Sequence, residues 1–348
     1  MKRHVATFVV YIAVALAGCA ANSNSDGSKA PREAFSASRL RPVATYSIVA
    51  RDSTTGRLGV AVQSHWFSVG AVVPWAEAGV GAVATQSFIE PSYGPLGLAL
   101  MRLGRSAPEA LQALISTDAG EAVRQVAMID AQGRVAAHTG SRAIDAKGHQ
   151  LGDQYSVQAN LMDRESVWPA MAKAYESSPG DLAERLLAAL EAAEGEGGDI
   201  RGRQSAALLV VSAESTGRPW NDRIFDLRVE DHPDPVGELR RLVQLQRAYN
   251  RLNEGDEHFT DGNMVKAMRA YREATDLVPD RATNGEAAFW VGVALADAGR
   301  AEEAIPYLAR AQRQDARWAR LLPRLSASGL LPDDPKLIQR LVKQMQRE

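Results

Sequence analysis

The 348-residue chain holds one cysteine, which excludes any disulfide within it. Its histidines are few, and those at 65, 138, 149, 232 and 258 are scattered without ligand spacing. The sequence therefore offers no metal centre and points to no cofactor. A phosphate loop of the G-x-x-x-x-G-K-S/T type is missing as well. Lys and Arg number 40 against 42 Asp and Glu, so no basic surplus exists to hold nucleic acid. No apolar run reaches the roughly 20 residues that a membrane-spanning helix needs. With 45% hydrophobic residues, the chain can bury one large core and a smaller one.

What is present starts at the N-terminus. Lys2, Arg3 and His4 precede an apolar stretch that closes on Leu16-Ala17-Gly18-Cys19. A positive start, a short apolar segment and small residues before a cut describe a secretory signal over 1–18. The cysteine stands where a lipoprotein signal peptidase leaves a lipid-modified residue, so Cys19 is expected to be acylated and to anchor the chain in a membrane. An ordinary secretion signal with a chance cysteine is the alternative. Two or three acyl chains anchor stably where one is marginal. Ala20 in place of Asp resembles an outer-membrane destination in a Gram-negative cell, which implies the periplasmic face of that membrane. Loss of Lys2 and Arg3 leaves 38 basic against 42 acidic residues, a net of −4. Residues 19–40, rich in Ala, Asn, Ser and Gly, read as a disordered tether, with folding expected from 41 onward.

From 41 to 234 short β-rich runs alternate with helical ones. The runs 43–50, 58–63, 69–73 and 80–85, separated by Gly, Pro and Asp turns, predict a buried β-meander. Helices follow at 94–103 and 106–116, where Ser106-Ala107-Pro108-Glu109 offers an N-cap with an early proline. Strands resume at 126–130 and 135–139, joined through Ala131-Gln132-Gly133, and again at 155–159. Two helices, 165–177 and 181–194, precede strands at 205–212 and 224–229. This order predicts an α+β sandwich rather than a doubly wound parallel sheet.

After Asp234-Pro235 the chain, over 235–348, turns helical and repeats itself. Gly262, Ala267, Tyr271 and Ala274 recur as Gly299, Ala304, Leu308 and Ala311, an offset of 37. This resembles a tetratricopeptide repeat, whose period is about 34 residues. Such a module implies a protein partner; an unrelated pair of helical hairpins is the other reading.

A second resemblance rests on many ordered blocks. They include Thr45-Tyr46-Ser47-Ile48-Val49-Ala50-Arg51-Asp52, Gly59-Val60-Ala61-Val62, Ala78-Gly79-Val80-Gly81-Ala82-Val83-Ala84-Thr85-Gln86, Tyr155-Ser156-Val157-Gln158-Ala159-Asn160 and Gly197-Gly198-Asp199-Ile200-Arg201-Gly202-Arg203-Gln204-Ser205. Over 44–241 the chain resembles the family known as domain of unknown function 1028. That family is placed with the N-terminal-nucleophile hydrolase-like proteins, which implies a four-layer αββα sandwich. In that superfamily an N-terminal Thr, Ser or Cys attacks an amide carbonyl while its own α-amine takes the proton. The matching residue is Thr45, whose nitrogen is an amide unless the chain is cut after Ala44. A buried strand threonine is the alternative.

Other polar residues invite weighing. Ser64 beside His65 suggests nucleophile and base, but strand neighbours point to opposite faces. Thr85 and Gln86 end a strand after a glycine-rich approach, where a ligand could be touched, and His138 with Thr139 is comparable. In Gly197-Gly198-Asp199 with Arg201 and Arg203, glycines admit a ligand and a guanidinium clamps a carboxylate; a structural ion pair explains the same residues. Asn160 is a candidate oxyanion donor. Asp231-His232-Pro233-Asp234-Pro235 reads as a rigid linker rather than a cation site. The resulting expectation is an envelope-anchored hydrolase of a small amide or peptide-like bond. A non-catalytic ligand-binding or scaffolding lipoprotein is the alternative, and either one could form a homo-oligomer.

Overall fold

A computed structural model describes residues 45–347. The signal over 1–18, Cys19, the tether over 19–40 and the expected start at 41 lie outside the described residues. Strand β1 (Thr45–Arg51) pairs antiparallel with β2 (Leu58–Ser64), Thr45 opposite Ser64. The chain then builds a second sheet from β3 (Pro74–Glu77), β4 (Gly81–Ser87), β5 (Arg124–Asp130) and β6 (Val135–Thr139), in that order. Helices α1 (Tyr93–Arg102) and α2 (Ala107–Ile115) intervene between β4 and β5. Strands β7 (Gly148–Gly152) and β8 (Tyr155–Asn160) return to the first sheet. There follow α3 (Val167–Ser177), α4 (Leu182–Gly195), β9 (Ser205–Val211), the single turn α5 (Pro219–Asp222) and β10 (Arg223–Val229). The first sheet runs β10-β9-β2-β1-β8-β7, all pairs antiparallel, with β1 in its interior.

The expected meander divides between sheets: its first two runs belong to the six-stranded sheet and the last to the other. Residues 69–73 form no strand. Val69–Ala71 is a 3-10 turn, and the strand begins only at Pro74. The cause is the crossing between sheets, where Ser205 Oγ accepts the Val69 N–H (3.1 Å) and Gly70 lies so close to Ala207 that a Cβ would stand 2.8 Å from that residue's own. Strand β7, with the polar sequence Gly-His-Gln-Leu-Gly, was not expected; as an edge strand half open to solvent it needs no apolar alternation.

Period-two alternation sorts the strand residues. Tyr46, Ile48 and Ala50 join Val157, Leu208 and the apolar stripes of α3 and α4 in one core. On α4 this stripe is Leu182, Leu186, Leu190 and Ala193, recurring at helical spacing behind the N-cap Asp181. Val49, Val60 and Val62 point the other way and meet Ala82, Ala84, Ala127 and Ile129 of the second sheet. The outer face of that sheet, with Val83, Val126 and Met128, is covered by α1 and α2. Helix α2 starts as anticipated at Ser106, which forms a reciprocal capping box with Glu109.

Helix α6 (Pro235–Thr260) begins on β9 and β10 through Val236, Leu239 and Val243, then leaves the sheet to pack along α7 (Met264–Leu277). Helix α8 (Glu286–Asp297) packs likewise along α9 (Ala301–Gln314), and the short α10 (Arg317–Leu321) and α11 (Pro335–Met345) close the helical region. The 37-residue offset relates equivalent contacts. Gly255 of α6 seats the Tyr271 ring, and Gly292 of α8 seats Leu308. Gly262 and Gly299 both end their helices at positive φ, 74° and 76°. In Gly292→Ala the new methyl would stand 2.6 Å from Leu308 Cγ. The variant should lose about 1–3 kcal/mol despite alanine's better helix propensity, read as a lower urea midpoint.

Charge fastens α6 to α4. Arg240 bridges Glu184 (2.8 Å) and Glu191, while Arg247 reaches Glu184 and Asp181 (2.7 Å). Burial raises the Glu184 pKa, but the hydrogen bonds from Arg240 and Arg247 outweigh it and hold the carboxyl below its ordinary 4.5. A depressed folded value means that the stabilisation is complete above the unfolded value and drains away as pH falls through the folded one. Glu184→Gln should therefore cost about 1 kcal/mol near neutral pH and progressively less below pH 4.5. Urea melts of both proteins across that range check it; an unchanging difference would contradict the assignment.

Candidate functional site

At the end where β1 begins, the layer between the sheets changes from apolar to polar. Thr45 and Ser47 of β1, Gln86 of β4, Gln125 of β5, and Ser156, Gln158 and Asn160 of β8 are all fully buried. Alternation brings them together, since each occupies the inward register of its strand. Gln125 is the hub. Its Nε2 donates to Ala159 O (2.9 Å), Thr139 Oγ1 (2.9 Å) and Gly148 O (3.1 Å), and its Oε1 accepts from Gln86 Nε2 (2.6 Å) and Asn160 Nδ2 (2.9 Å). Ser47 Oγ donates to Gln86 Oε1 (2.6 Å) and accepts from Gln158 Nε2 (2.6 Å). Two carboxamides converge on the backbone carbonyl of Thr45: Gln86 Nε2 at 3.1 Å and Asn160 Nδ2 at 3.4 Å.

The cluster is under some tension. Asn160 Oδ1 and Ser87 Oγ are buried without a hydrogen-bond partner, as are both amide atoms of Gln63 on the opposite face of β2. Ser87 and Leu161, the residues directly after Gln86 and Asn160, hold positive φ of 72° and 59°, a region that side chains other than glycine rarely adopt. Towards the rim, Thr139 Oγ1 contacts His149 Nδ1 (2.8 Å). Burial, then the neighbouring His138, lowers the His149 pKa, so that imidazole stays neutral near pH 7.

The sequence-predicted residues do not all meet here. Thr45, Gln86 and Asn160 do. Thr85 points to the other face of β4, where its hydroxyl donates to Glu90 O (3.1 Å). The Asp199 loop borders the same end of the six-stranded sheet but is occupied with itself. Asp199, buried, accepts from the His65 N–H (3.0 Å), the Arg201 N–H (3.0 Å) and the Arg201 guanidinium (2.8 Å). Arg203 pairs with Glu194, which also accepts from the Tyr46 hydroxyl. Burial and then the Glu194 carboxylate push the Tyr46 phenol far above its usual range, so it remains a donor. His138 turns away to the Glu121 carbonyl (2.9 Å) and carboxylate (3.2 Å). His65 lies beyond the end of β2, and its backbone N–H ties it to the Asp199 loop.

Sequence reasoning missed Gln125, Ser47 and Gln158. Their signal was a polar residue among the apolar ones inside a strand: Ser47 in β1, Gln125 in β5, and Ser156, Gln158 and Asn160 at alternate positions of β8.

Two sheets carrying this register, with the polar layer at the head of β1, define a mixed α/β domain to which comparison assigns a family. Residues 45–239, more than half of the chain, match the family of unknown function DUF1028, and the chain belongs to that family. A crystal structure of a DUF1028 protein from Silicibacter pomeroyi is similar, with 35% identity and a TM-score of 0.52 over 58% of this chain and 88% of that one. No curated protein matches.

Proposed function

We propose that this chain is an N-terminal-nucleophile amide hydrolase, latent until the bond between Ala44 and Thr45 is cut, and carried in the cell envelope by a lipid on Cys19. The observation that supports this most is the place of Thr45: first residue of an interior strand, side chain in the layer between the sheets, with Asn160 and Ser64 directly across from it. In this reading the sheets and the helices on their outer faces are the four-layer αββα sandwich of that superfamily. Cutting converts an amide nitrogen, which cannot act as a base, into an amine titrating near neutrality. The Thr45 hydroxyl then attacks the substrate carbonyl carbon as its proton passes to that amine. Collapse of the tetrahedral adduct expels the leaving amine, which takes the proton, and water hydrolyses the remaining ester. Asn160 Nδ2, now shared between Gln125 and the Thr45 carbonyl, supplies the oxyanion donor. The substrate is a small amide or peptide-like molecule, and Arg201 or Arg203 at the rim meets its carboxylate.

A second reading has its own support: every member of the buried layer is neutral, and Thr45 is inaccessible in the uncut chain. A domain never cut would be a ligand-binding or scaffolding lipoprotein, whose repeats of the tetratricopeptide type recruit a protein partner, alone or as a homo-oligomer. The two part on Thr45→Ala. The first reading requires loss of hydrolysis across a panel of small N-acyl amides and dipeptides, with Thr45→Ser retaining part of it. Undiminished hydrolysis by Thr45→Ala would remove Thr45 as nucleophile.

A further inference from the structure

In the helical region, α6, α7, α8 and the segment before α11 line a half-open cavity of about 550 Å³. Its lining combines apolar residues such as Leu252 and Val293 with the aromatic rings of Tyr249, Phe259 and Trp290. Among these stand the carboxylates Asp256, Glu286 and Asp297, and among the described residues no Lys, Arg or His lines the cavity. Two of the acids, Glu286 and Asp256, are oriented by neutral donors. Glu286 accepts from the Tyr249 hydroxyl (2.6 Å) and the Trp290 indole (3.3 Å), and Asp256 from the Tyr271 hydroxyl (2.7 Å). Burial, then the bond to Glu286, pushes the Tyr249 phenol up to about 12, and Tyr271 is raised further, so both remain donors. Such hydrogen bonds fix the carboxylates in place and leave their charge uncompensated. This contrasts with the neighbouring α4 to α6 contact, where each acid faces an arginine.

We propose that this cavity binds a small organic cation bearing an alkylated or primary ammonium group. Three negative charges call for a cation. The walls choose its kind: ring faces attract a weakly hydrated ammonium, whereas calcium or magnesium demands a shell of oxygen ligands that Tyr249, Phe259 and Trp290 cannot complete. The volume lies within the roughly 300–1,000 Å³ range of small-molecule sites and is too small for a folded partner. The inference stands whether or not Thr45 is catalytic.

Isothermal titration of the full chain with choline, tetramethylammonium and putrescine, with neutral 3,3-dimethylbutanol as the uncharged match for choline, tests it. At least one cation should bind saturably and several-fold tighter than the alcohol. Glu286→Gln should weaken that binding about tenfold, and Asp297→Asn, at an exposed position where folding is not at stake, at least about threefold. Equal binding of the alcohol and choline, no saturable binding of any cation, or unchanged affinity in both variants would overturn the proposal.

Discussion

Gln125→Leu should be the most damaging single substitution in the polar layer, lowering stability by about 3–5 kcal/mol, and the urea midpoint correspondingly. Leucine fills nearly the same volume, so the loss is one of hydrogen bonding rather than packing. Five contacts end on this side chain, three of them fully buried and two, to Thr139 and Gly148, at the half-buried rim. Without Gln125 Oε1, the Asn160 amide keeps only its long bond to the Thr45 carbonyl, and Gln86 loses its shortest acceptor. Each buried polar group left without a partner costs about 1–3 kcal/mol, and in a network the losses share atoms, so they do not simply add. Gln125→Glu should be no gentler, because it places a charge in the same closed layer. A variant as stable as the parent would mean that water enters between the sheets, and the buried layer would have to be redrawn as a wet pocket.

The second large effect falls on Asp199. Replacing it with alanine should cost about 2–4 kcal/mol, since the His65 N–H and the half-buried Arg201 guanidinium lose their shared acceptor together. Asp199→Asn keeps one oxygen and should lose markedly less. The comparison carries functional weight. If the loop only ties β2 to β8, both variants that still fold should turn over substrate normally once Thr45 is free. If Arg201 meets a substrate carboxylate, Asp199→Asn, which no longer holds the guanidinium from two sides, should raise KM with kcat little changed.

Much of this architecture was legible along the chain. The Val-rich runs bounded by Gly and Asp marked most strands of both sheets, α4 announced itself by leucines at helical spacing, and the 37-residue offset foretold that Gly262 and Gly299 would do the same job. What escaped was whatever depends on pairing between distant segments. Nothing local says that β1 sits between β2 and β8, both of which follow it in the chain, the one directly and the other only after the whole second sheet, or that Val69 and Val73 are buried in a crossing turn. The candidate site divides in the same way. Thr45 was singled out through a family resemblance and Asn160 separately as an oxyanion donor, and β1 to β8 pairing sets them opposite one another. Thr85 and Gln86 looked like one feature because they are adjacent, yet strand alternation sends them to opposite faces of β4. Gln125 went unnoticed because a lone glutamine in an apolar strand is unremarkable until four other strands aim polar groups at it.

Hydrolysis by this route requires that Thr45 become an N-terminus. Intact mass spectrometry of the protein recovered from the membrane and soluble fractions of a Gram-negative host addresses it directly. The expected result is a species that begins at Thr45, absent in Thr45→Ala if the chain cuts itself, beside an acylated precursor that begins at Cys19. Recovery of only the acylated species, under conditions where the protein is mature and folded, would contradict it.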